Sequence, residues 1–405
     1  MREGWESYKL KDLLEIKYGK DHKKLKDGKY PLYGSGGIMR YVDEYLYNDE
    51  SILIPRKGTL SNLFYLNTPF STVDTMFWSK IDKEKVFPKF LYYLLKTYDL
   101  SLLDVGAAIP SLTTKILKEV SVRIPESQET QRKIASILSA YDDLIENNLK
   151  RIKLLEEQAQ QTYEEWFVRF KFPEYEDVEI DEVSGLPFGW KKTTLDELVS
   201  LQQGFALNKK SNHHISKKKT GFPLLKIGDL FNGTETLFVK ETIPKQFLVN
   251  RNEIIYSRTG QVGHAFMGRK GVIYNNCFRV SANNKIERLL LYYFLISPSI
   301  VETAKSLATG SAQPDLNHGA FKSIQINLPP VDIQKKFSVP MEKNLELIYN
   351  LLNQNQLLKE ARDILLPRMM MGMIDPSTSS GQVVDGLGVY EGLGMVAEKD
   401  NKFNN

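Results

Sequence analysis

The sequence carries one series of short motifs twice, in the same order. The first copy opens with Gly4-Trp5 and the second with Gly189-Trp190, and the leucines and glycine that follow keep the same offset of 185 residues. Later pairs keep the order while the offset grows to about 204, as loop insertions in the second copy predict. These pairs are Tyr30-Pro31-Leu32 with Phe222-Pro223-Leu224, Arg56-Lys57-Gly58 with Arg258-Thr259-Gly260, Leu91–Leu94 with Leu291–Phe294, Gly106…Pro110-Ser111-Leu112 with Gly310…Pro314-Asp315-Leu316, and Gln131-Arg132-Lys133 with Gln334-Lys335-Lys336. This series predicts a tandem repeat; the alternative is coincidence within a large α+β protein.

Each copy combines a region of mixed secondary structure with one long helix. Short apolar runs bounded by Gly, Pro or Asn predict strands. The predicted strands are Ser51–Arg56, Val73–Ser79, Val120–Ile124, Glu253–Ser257 and Ser323–Leu328. Two further segments, Pro88–Thr97 and Ile286–Ile296, predict short helices.

The long helix of the first copy is predicted from about Gln128 to Phe170. Its apolar positions recur in alternating steps of four and three, the spacing of a coiled-coil seam. The seam of the first copy is Ile134, Leu138, Tyr141, Ile145, Asn148, Ile152, Leu155, Ala159, Thr162 and Trp166, and that of the second is Met341, Asn344, Ile348, Leu351, Asn355 and Leu358. The predicted fold is therefore α+β, with two mixed domains separated by two long antiparallel coiled-coil helices related by pseudo-twofold symmetry.

An antiparallel pair of helices has facing residues whose numbers sum to a constant. A sum of 503 sets Asn148 opposite Asn355 and makes nearly every other layer apolar. The apolar layers are Ile152 with Leu351, Leu155 with Ile348, Ile145 with Leu358, Leu138 with Leu365, and Trp166 with Phe337. A buried amide pair fixes register at a cost in stability, so we expect Asn148 and Asn355 to set it. The alternative is that each asparagine meets solvent at a frayed seam.

The repeat predicts domain boundaries as well as secondary structure. A first mixed domain spans 1–126 and a central helix 127–172; an acidic linker spans 173–188; a second mixed domain spans 189–330 and a distal helix 331–375; a tail rich in Gly, Ser and Thr spans 376–405. A seam of this length gives roughly 50 Å of helix. Two domains on such a spacer would face one side of a DNA duplex about one to one and a half turns apart.

Composition excludes several classes of protein. The single cysteine, Cys277, excludes a disulfide framework and a thiolate zinc site, which favours a reducing cytoplasm. We expect no signal peptide and no membrane span, because no apolar stretch follows Met1 and none approaches about 20 residues. The net charge of +4 is compatible with nucleic acid, although the distribution of charge matters more than the total.

Both copies place lysines in a loop at a similar point of the repeat. The first loop contains Lys20, Lys23 and Lys24, and the second contains Lys209 and Lys210, followed by His213-His214. Lysine clusters on loops suit contacts to phosphates, which position a protein on DNA without reading its sequence. The alternative for each loop alone is an ordinary solvated surface.

A second pair of candidate sites lies where an apolar strand enters a glycine-bearing turn. In the first copy the residues are Arg56, Lys57 and Thr59, and in the second they are Arg258, Thr259 and Gln261. Arginine pairs with guanine and glutamine with adenine, while glycine allows the backbone close to a groove. The alternative is a tight hairpin with an exposed arginine.

The motifs of common catalytic sites are missing from the sequence. The ATP-binding motif Gly-x-x-x-x-Gly-Lys-Ser/Thr does not occur in the sequence. Asn327-Leu328-Pro329-Pro330 has the wrong residue order for the motif of an amino-methyltransferase. No acid-x-Lys follows Pro314-Asp315 to complete a nuclease site. The five histidines lack metal-ligand spacing. We therefore expect no catalytic residue and no metal or cofactor bound by this chain.

The repeat resembles the specificity subunits of type I restriction–modification complexes. The residues that carry the resemblance are Gly4-Trp5…Leu10 and Gly189-Trp190…Leu195, Ile254–Gly263, Val120–Pro125 and Ile326–Pro330, Gln131–Ile134 and Gln334–Phe337, and Leu366-Pro367-Arg368-Met369-Met370. They span about residues 4–375. The first copy departs from the Ser-Arg-x-Gly pattern at Ile54–Gly58, so its DNA contacts are assigned less directly.

The resemblance implies a protein that binds double-stranded DNA at a bipartite site and performs no chemistry. It implies two methylation subunits carrying S-adenosylmethionine, and restriction subunits using ATP and Mg²⁺. The helices carry apolar residues outside the seam, which indicate partner surfaces or packing against the adjacent domains. These residues are Ile137, Leu144, Leu154, Leu352 and Leu357. The main alternative is a stand-alone DNA-binding regulator, which needs no partner; an enzyme is disfavoured by the missing motifs.

Overall fold

The computed structural model describes residues 4–103, 111–310, 312–374 and 376. The chain forms two compact units, one from residues 1–147 with 354–405 and the other from residues 148–353. Each unit mixes strands and helices, so the predicted α+β class is confirmed. The predicted tail, residues 376–405, lies outside the described residues except for residue 376.

The first unit is built on a four-stranded sheet with the strand order β2-β8-β5-β6. A three-stranded sheet, β4-β3-β7, and an antiparallel ribbon, β1-β9, complete its strands. The strands are β1 (Trp5–Lys9), β2 (Leu14–Tyr18), β3 (Asp27–Gly34), β4 (Gly37–Val42), β5 (Ser51–Pro55), β6 (Phe64–Leu66), β7 (Ser71–Thr72), β8 (Met76–Ile81) and β9 (Ser121–Pro125); the helices are α1 (Leu10–Leu13), α2 (Pro88–Lys96) and α3 (Thr114–Glu119).

The central strand β5 is buried along its whole length, as its unbroken apolar run predicts. The predicted strand Val73–Ser79 was wrong at its start, because Val73 forms only an isolated bridge, Asp74 and Thr75 form a turn, and strand β8 begins at Met76. The turn lets the Thr75 carbonyl accept a hydrogen bond from the Arg56 amide at 2.9 Å. The Arg56 amide and the Thr75 carbonyl, which lie just beyond the paired strands, are therefore satisfied by each other.

The second unit repeats this frame. Its four-stranded sheet has the order β11-β19-β16-β17, and the ribbon β10-β20 corresponds to β1-β9. The strands are β10 (Lys191–Thr194), β11 (Val199–Gln203), β12 (Ile215–Ser216), β13 (Leu224–Leu225), β14 (Phe238–Val239), β15 (Leu248–Val249), β16 (Ile254–Ser257), β17 (Ala265–Phe266), β18 (Gly271–Ile273), β19 (Cys277–Ala282) and β20 (Gln325–Leu328); the helices are α5 (Ile227–Asn232), α6 (Arg288–Ile296), α7 (Pro298–Leu307) and α8 (His318–Lys322). The tandem repeat predicted from the motifs is thus present in the topology.

Two long helices follow the mixed regions, α4 (Gln128–Tyr163) and α9 (Val331–Met370). Helix α4 continues into a π-helical turn, Glu164–Val168. Near this turn Tyr163 and Phe167 are buried where the seam predicted Thr162 and Trp166, while Trp166 is half-buried and still packs against Phe337.

Within the second unit the two helices run antiparallel. Ile152 packs in one apolar cluster with Leu351 and Ile348, and further along the helices the rings of Trp166 and Phe337 lie 6.0 Å apart. Residue numbers therefore rise along α4 while they fall along α9. These contacts follow the predicted sum of 503.

The first unit contains the opposite ends of the same two helices, again antiparallel. Leu138 of α4 and Leu365 of α9 belong to one cluster, and Arg362 forms an ion pair with Asp142 at 2.5 Å. Asn148 and Asn355 belong to different units, and both are buried, with 6% and 3% of their surface exposed. Their pairing stays a prediction.

A buried glutamine fixes the start of each long helix to the mixed region before it. The Gln131 side chain accepts a hydrogen bond from the Phe87 amide at 2.7 Å and donates to the Pro125 carbonyl at 2.8 Å. Gln334 accepts from the Glu287 amide at 2.8 Å and donates to the Pro329 carbonyl at 2.9 Å. The repeated Gln-Arg-Lys and Gln-Lys-Lys motifs therefore have a structural role.

The far end of α9 completes the core of the first unit. Leu366, Met369, Met370 and Ile374 are buried with the residues of α1, α2 and β9 in one cluster. Among the described residues, no helix is long and apolar enough to cross a membrane.

Candidate nucleic-acid interface

The turn after β5 carries the candidate residues Arg56, Lys57 and Thr59 of the first unit. The carbonyl of Arg56 accepts a hydrogen bond from the Leu112 amide at 3.0 Å. Gly58 has φ +88°, a conformation that glycine adopts without strain. The turn is therefore held from both sides by backbone hydrogen bonds, and Lys57 and Thr59 are exposed on it.

The turn after β16 has the same backbone frame. The Arg258 amide donates to the Asn276 carbonyl at 2.9 Å, and the Arg258 carbonyl accepts from the Leu316 amide at 2.9 Å. Gly260 has φ +83°. The prediction that the two arginines occupy equivalent positions is confirmed by these matching hydrogen bonds.

The side chain of Arg258 is fixed by neighbours within the second unit. It donates to Gln203 Oε1 at 2.9 Å and forms an ion pair with Asp315, and the Thr259 hydroxyl donates to the same carboxylate. His318 Nε2 lies 3.1 Å from the same Gln203 oxygen. Arg258 is therefore only 22% exposed and reaches the surface as part of a network.

Burial and charge act on two titrating groups of this network. Burial opposes ionisation of Asp315, but hydrogen bonds from Thr259 and Arg258 outweigh it, and the pKa of Asp315 is lowered. Burial, with the positive charge of Arg258, lowers the pKa of His318. The network therefore holds an ionised aspartate beside a histidine that favours its neutral form at neutral pH.

The first unit surrounds its arginine differently. The guanidinium of Arg56 lies over the ring of Tyr18, 5.5 Å from its centre, and makes a long contact of 3.5 Å with the Asp74 carbonyl. Tyr18 ends β2 as Gln203 ends β11, and Ser111 occupies the place of Asp315. The aromatic and the serine replace the amide and the carboxylate of the second unit.

The basic loop of the first unit is attached to the β3–β4 hairpin by Arg40. Its guanidinium donates to the carbonyls of His22 and Leu25 at 3.0 and 2.9 Å and pairs with Asp27. The candidate lysines of this loop are exposed: Lys20, Lys23 and Lys24. The loop is thus presented in a defined shape with its positive charges in solvent.

The loop also adjoins the arginine turn. Lys20 pairs with Val73, and the Arg56 amide binds the carbonyl of Thr75, two residues further on. The structure therefore brings Lys20 and Arg56 to opposite ends of one short turn. Asp74 is an acidic residue within that turn.

The second basic loop is shaped by Asn208 and Ser211. The Asn208 side chain accepts from the Lys210 amide at 2.9 Å, and the Ser211 hydroxyl donates to the Ala206 carbonyl at 2.8 Å. Lys209 and Lys210 are exposed there. Phe205, just before the loop, pairs with Tyr274 as Lys20 pairs with Val73. The frame position of Lys20 therefore holds a buried phenylalanine in the second unit, and its lysines come later.

Gln261 lies on the exposed side of the second turn, one residue after Gly260. The described residues contain no group of three or more His, Cys, Asp or Glu side chains placed to hold a metal ion. Four residues of the candidate interface were not predicted from the sequence: Arg40, Gln203, Asp315 and His318. The repeat aligns Ser111 with Asp315, and this alignment could have predicted a role for Asp315. Gly106 and Pro110 of the same motif lie outside the described residues.

Both copies of the repeated frame match one known protein family. Residues 2–157 and 187–357 match the family model described as type I restriction modification DNA specificity domain. The chain belongs to this family. Its two matched regions make it a specificity subunit, the DNA-recognition component of such a system, which is not catalytic itself.

Relatives of this specificity subunit cover most of its length. The type I restriction enzyme MjaIX specificity subunit of Methanocaldococcus jannaschii is 28% identical over 80% of this chain and 77% of its own. The MjaVIII specificity subunit of the same organism is 23% identical over 92% of this chain and 93% of its own. The crystal structure of a type I restriction–modification S subunit from M. genitalium has a TM-score of 0.61 at 19% identity, covering 90% of this chain and 96% of that one, and so shares the fold.

Proposed function

We propose that each unit of this specificity subunit reads one half of a bipartite DNA site through its arginine turn and basic loop. The observation that carries the proposal is the repeated backbone frame, which presents exposed cationic and polar side chains at equivalent turns. Two equivalent reading surfaces on one chain suit a site with two halves and a fixed gap.

The exposed lysines are assigned to phosphates. Lys20, Lys23 and Lys24 in the first unit, and Lys209 and Lys210 in the second, have charged groups in solvent on shaped loops. Phosphate contacts supply affinity and fix position, while base edges supply specificity. The residues assigned to base edges or their support are Arg56, Lys57, Thr59, Arg258, Thr259 and Gln261.

Arg258 has a specific part in this assignment. Because Asp315 and Gln203 hold its guanidinium, it is oriented before DNA arrives, and a preorganised side chain loses less entropy on binding. Gln261 stands beside it, exposed and free to meet an adenine edge. Arg258 thus both supports the turn and offers a fixed donor at its surface.

The helices are assigned to partner subunits. Leu144, Leu154, Leu352 and Leu357 are about half exposed or more, whereas Ile137 packs against the core of the first unit. Exposed leucines on long helices suit docking of two methylation subunits, with restriction subunits recruited to the assembly. S-adenosylmethionine, ATP and Mg²⁺ then belong to those partners, and a stand-alone regulator would not need these apolar surfaces.

The domain boundaries form part of the same proposal. Recognition domains span 1–126 and 189–330, the helices 127–172 and 331–375 separate them, and 173–188 is the linker. The buried Asn148 and Asn355 are proposed to pair and set the helix register. The helices then fix the gap between the two half-sites.

The test is co-expression of this chain with its methylation subunit, followed by genome-wide mapping of methylated adenines. One bipartite motif is expected, and insertion of residues in α4 near Asn148 should change its gap without changing either half. Absence of methylation, with sequence-specific DNA binding by the chain alone, would favour the regulator.

Lysine variants separate phosphate contacts from base contacts. Lys209→Ala with Lys210→Ala should weaken binding to every sequence and lower the salt dependence by about one unit per lysine, leaving the motif unchanged. Lys80→Ala is the matched control, because Lys80 is an exposed lysine at the opposite end of β8 from the arginine turn. A changed motif in the double variant would contradict the phosphate assignment.

A further inference from the structure

The tip of the β3–β4 hairpin exposes apolar side chains that the fold does not use. Ile38 and Met39 are 48% and 58% exposed, in the first residues of β4 after the turn. Two large apolar side chains exposed at one hairpin tip are costly, and such placement on a strand element indicates a contact surface.

The tip is held against the turn that carries Arg56. The Ser35 carbonyl accepts a hydrogen bond from the Asn62 side chain at 2.9 Å, and a Cβ on Gly58 would stand 3.1 Å from the Ser35 hydroxyl. The Met39 sulfur lies against Gly34: a Cβ added to Gly34 would stand only 2.7 Å from it. The hairpin tip and the arginine turn are therefore one surface.

The charges around this surface indicate what covers it. Lys20 and Lys57 are exposed beside it and Arg56 is partly exposed, while Asp74 is the acid in the adjoining turn. Positive side chains around apolar ones suit a partner that has negative charges on its outside and apolar groups exposed between them. Phosphates offer nothing to Ile38 and Met39, but the 5-methyl group of thymine is an apolar feature of the major groove.

We infer, resting on the proposed DNA-reading function, that Ile38 and Met39 are specificity-determining residues that contact thymine 5-methyl groups in the half-site read by the first unit. In the second unit the equivalent strand also pairs antiparallel, through Pro223 and Phe238, but helix α5 stands between the two arms where the first unit has its short apolar tip. The two half-sites are therefore read by different chemistry, an apolar tip in one unit and a polar network in the other.

The test replaces thymine by uracil, which removes only the methyl group. Duplexes carrying the mapped motif, with each thymine of either half-site changed in turn, are titrated with the complex of this chain and its methylation subunit. At one or two positions of the first half-site, uracil should weaken binding about fourfold, as loss of one buried methyl predicts. The same duplexes should bind the Ile38→Ala, Met39→Ala double variant without that difference.

Ile180→Ala is the matched control, since Ile180 is similarly exposed but lies in the linker of the second unit; it should keep the wild-type response to uracil. Equal binding of thymine and uracil duplexes by the wild-type complex, or a response confined to the second half-site, would overturn the inference and leave the bipartite function standing. If the wild-type complex yields no motif at all, the proposed function itself fails. Circular dichroism melting of each variant excludes unfolding as the cause.

Discussion

The two arginine turns share a backbone and differ in what surrounds the guanidinium. Among the described residues Arg56 lies over the Tyr18 ring and contacts the Asp74 carbonyl, whereas Arg258 is paired with the Asp315 carboxylate and hydrogen-bonded to Gln203. The backbone hydrogen bonds of the two turns match within 0.1 Å. The two units thus share the backbone frame that positions the turn and differ in the side chains around it, as two units reading different sequences require.

The largest expected difference between the units is at the frame position of Lys20 and Phe205. Phe205→Ala removes a buried ring that packs 5.3 Å from Phe247, and should lower the free energy of unfolding by about 3–5 kcal/mol. Lys20→Ala removes an exposed side chain and should change it by less than about 0.5 kcal/mol. Urea denaturation measures both. Comparable losses would show that Lys20 also has a structural role.

The buried glutamines should behave alike in both units. Gln131→Ala leaves the Phe87 amide and the Pro125 carbonyl without their partner, and Gln334→Ala does the same to Glu287 and Pro329. Each change should cost about 2–4 kcal/mol of unfolding free energy. Gln128→Ala, on the same helix as Gln131 but partly exposed with its hydrogen bonds at the surface, should cost less than about 1 kcal/mol. A large difference between the two buried variants in thermal melts would contradict the equivalence of the frames.

Replacing the two arginines should destabilise the two units by different amounts. Arg258→Ala leaves Asp315 without its cation and should cost about 1–2 kcal/mol, discounted for partial exposure. Arg56→Ala loses a stacking contact on an exposed ring and should cost under about 1 kcal/mol. Chemical denaturation of the two variants is the measurement, and a larger loss for Arg56→Ala would reverse the comparison.

The smallest effect is the pH dependence that Asp315 gives to the arginine turn of the second unit. Because the pKa of Asp315 is lowered in the folded protein, its stabilisation is present above the unfolded value near 3.9 and is lost as pH falls through the folded pKa. The loss should stay below about 1 kcal/mol, since Asp315 is 36% exposed.

Asp315→Asn should remove this part of the acid sensitivity of the melting temperature between about pH 5 and pH 2, a range that includes the unfolded pKa and the lowered folded pKa of Asp315. The matched control is Ser111→Asn at the equivalent place in the first unit, which should leave the acid sensitivity unchanged. If the wild type and Asp315→Asn respond to acid in the same way, the ion pair does not contribute.

Local sequence patterns predicted the repeated frame well and the pairing of side chains poorly. The helix start at Gln128, the strand β5 and the two glycine turns follow from periodicity and from backbone preferences encoded nearby. The partnership of Arg258 with Asp315 joins residues far apart in the chain, which no local pattern reports.

Two other departures lie at particular places in the chain. At the end of α4 the buried positions run from Ala159 to Tyr163 and Phe167 in steps of four, where the seam pattern has a step of three. The offset is still 185 at Lys20 and Phe205, which are equivalent positions, and grows only within the loops that follow; the lysines of the two loops are therefore not at equivalent positions.

The division of the chain into units has a consequence for biosynthesis. The second unit is one continuous segment, residues 148–353, whereas the core of the first unit includes Leu366, Met369 and Met370. Domains fold as units while the chain emerges from the ribosome. All residues of the second unit are therefore made before the first unit has its full set. The first recognition surface is synthesised first, yet its supporting core is the last to be completed.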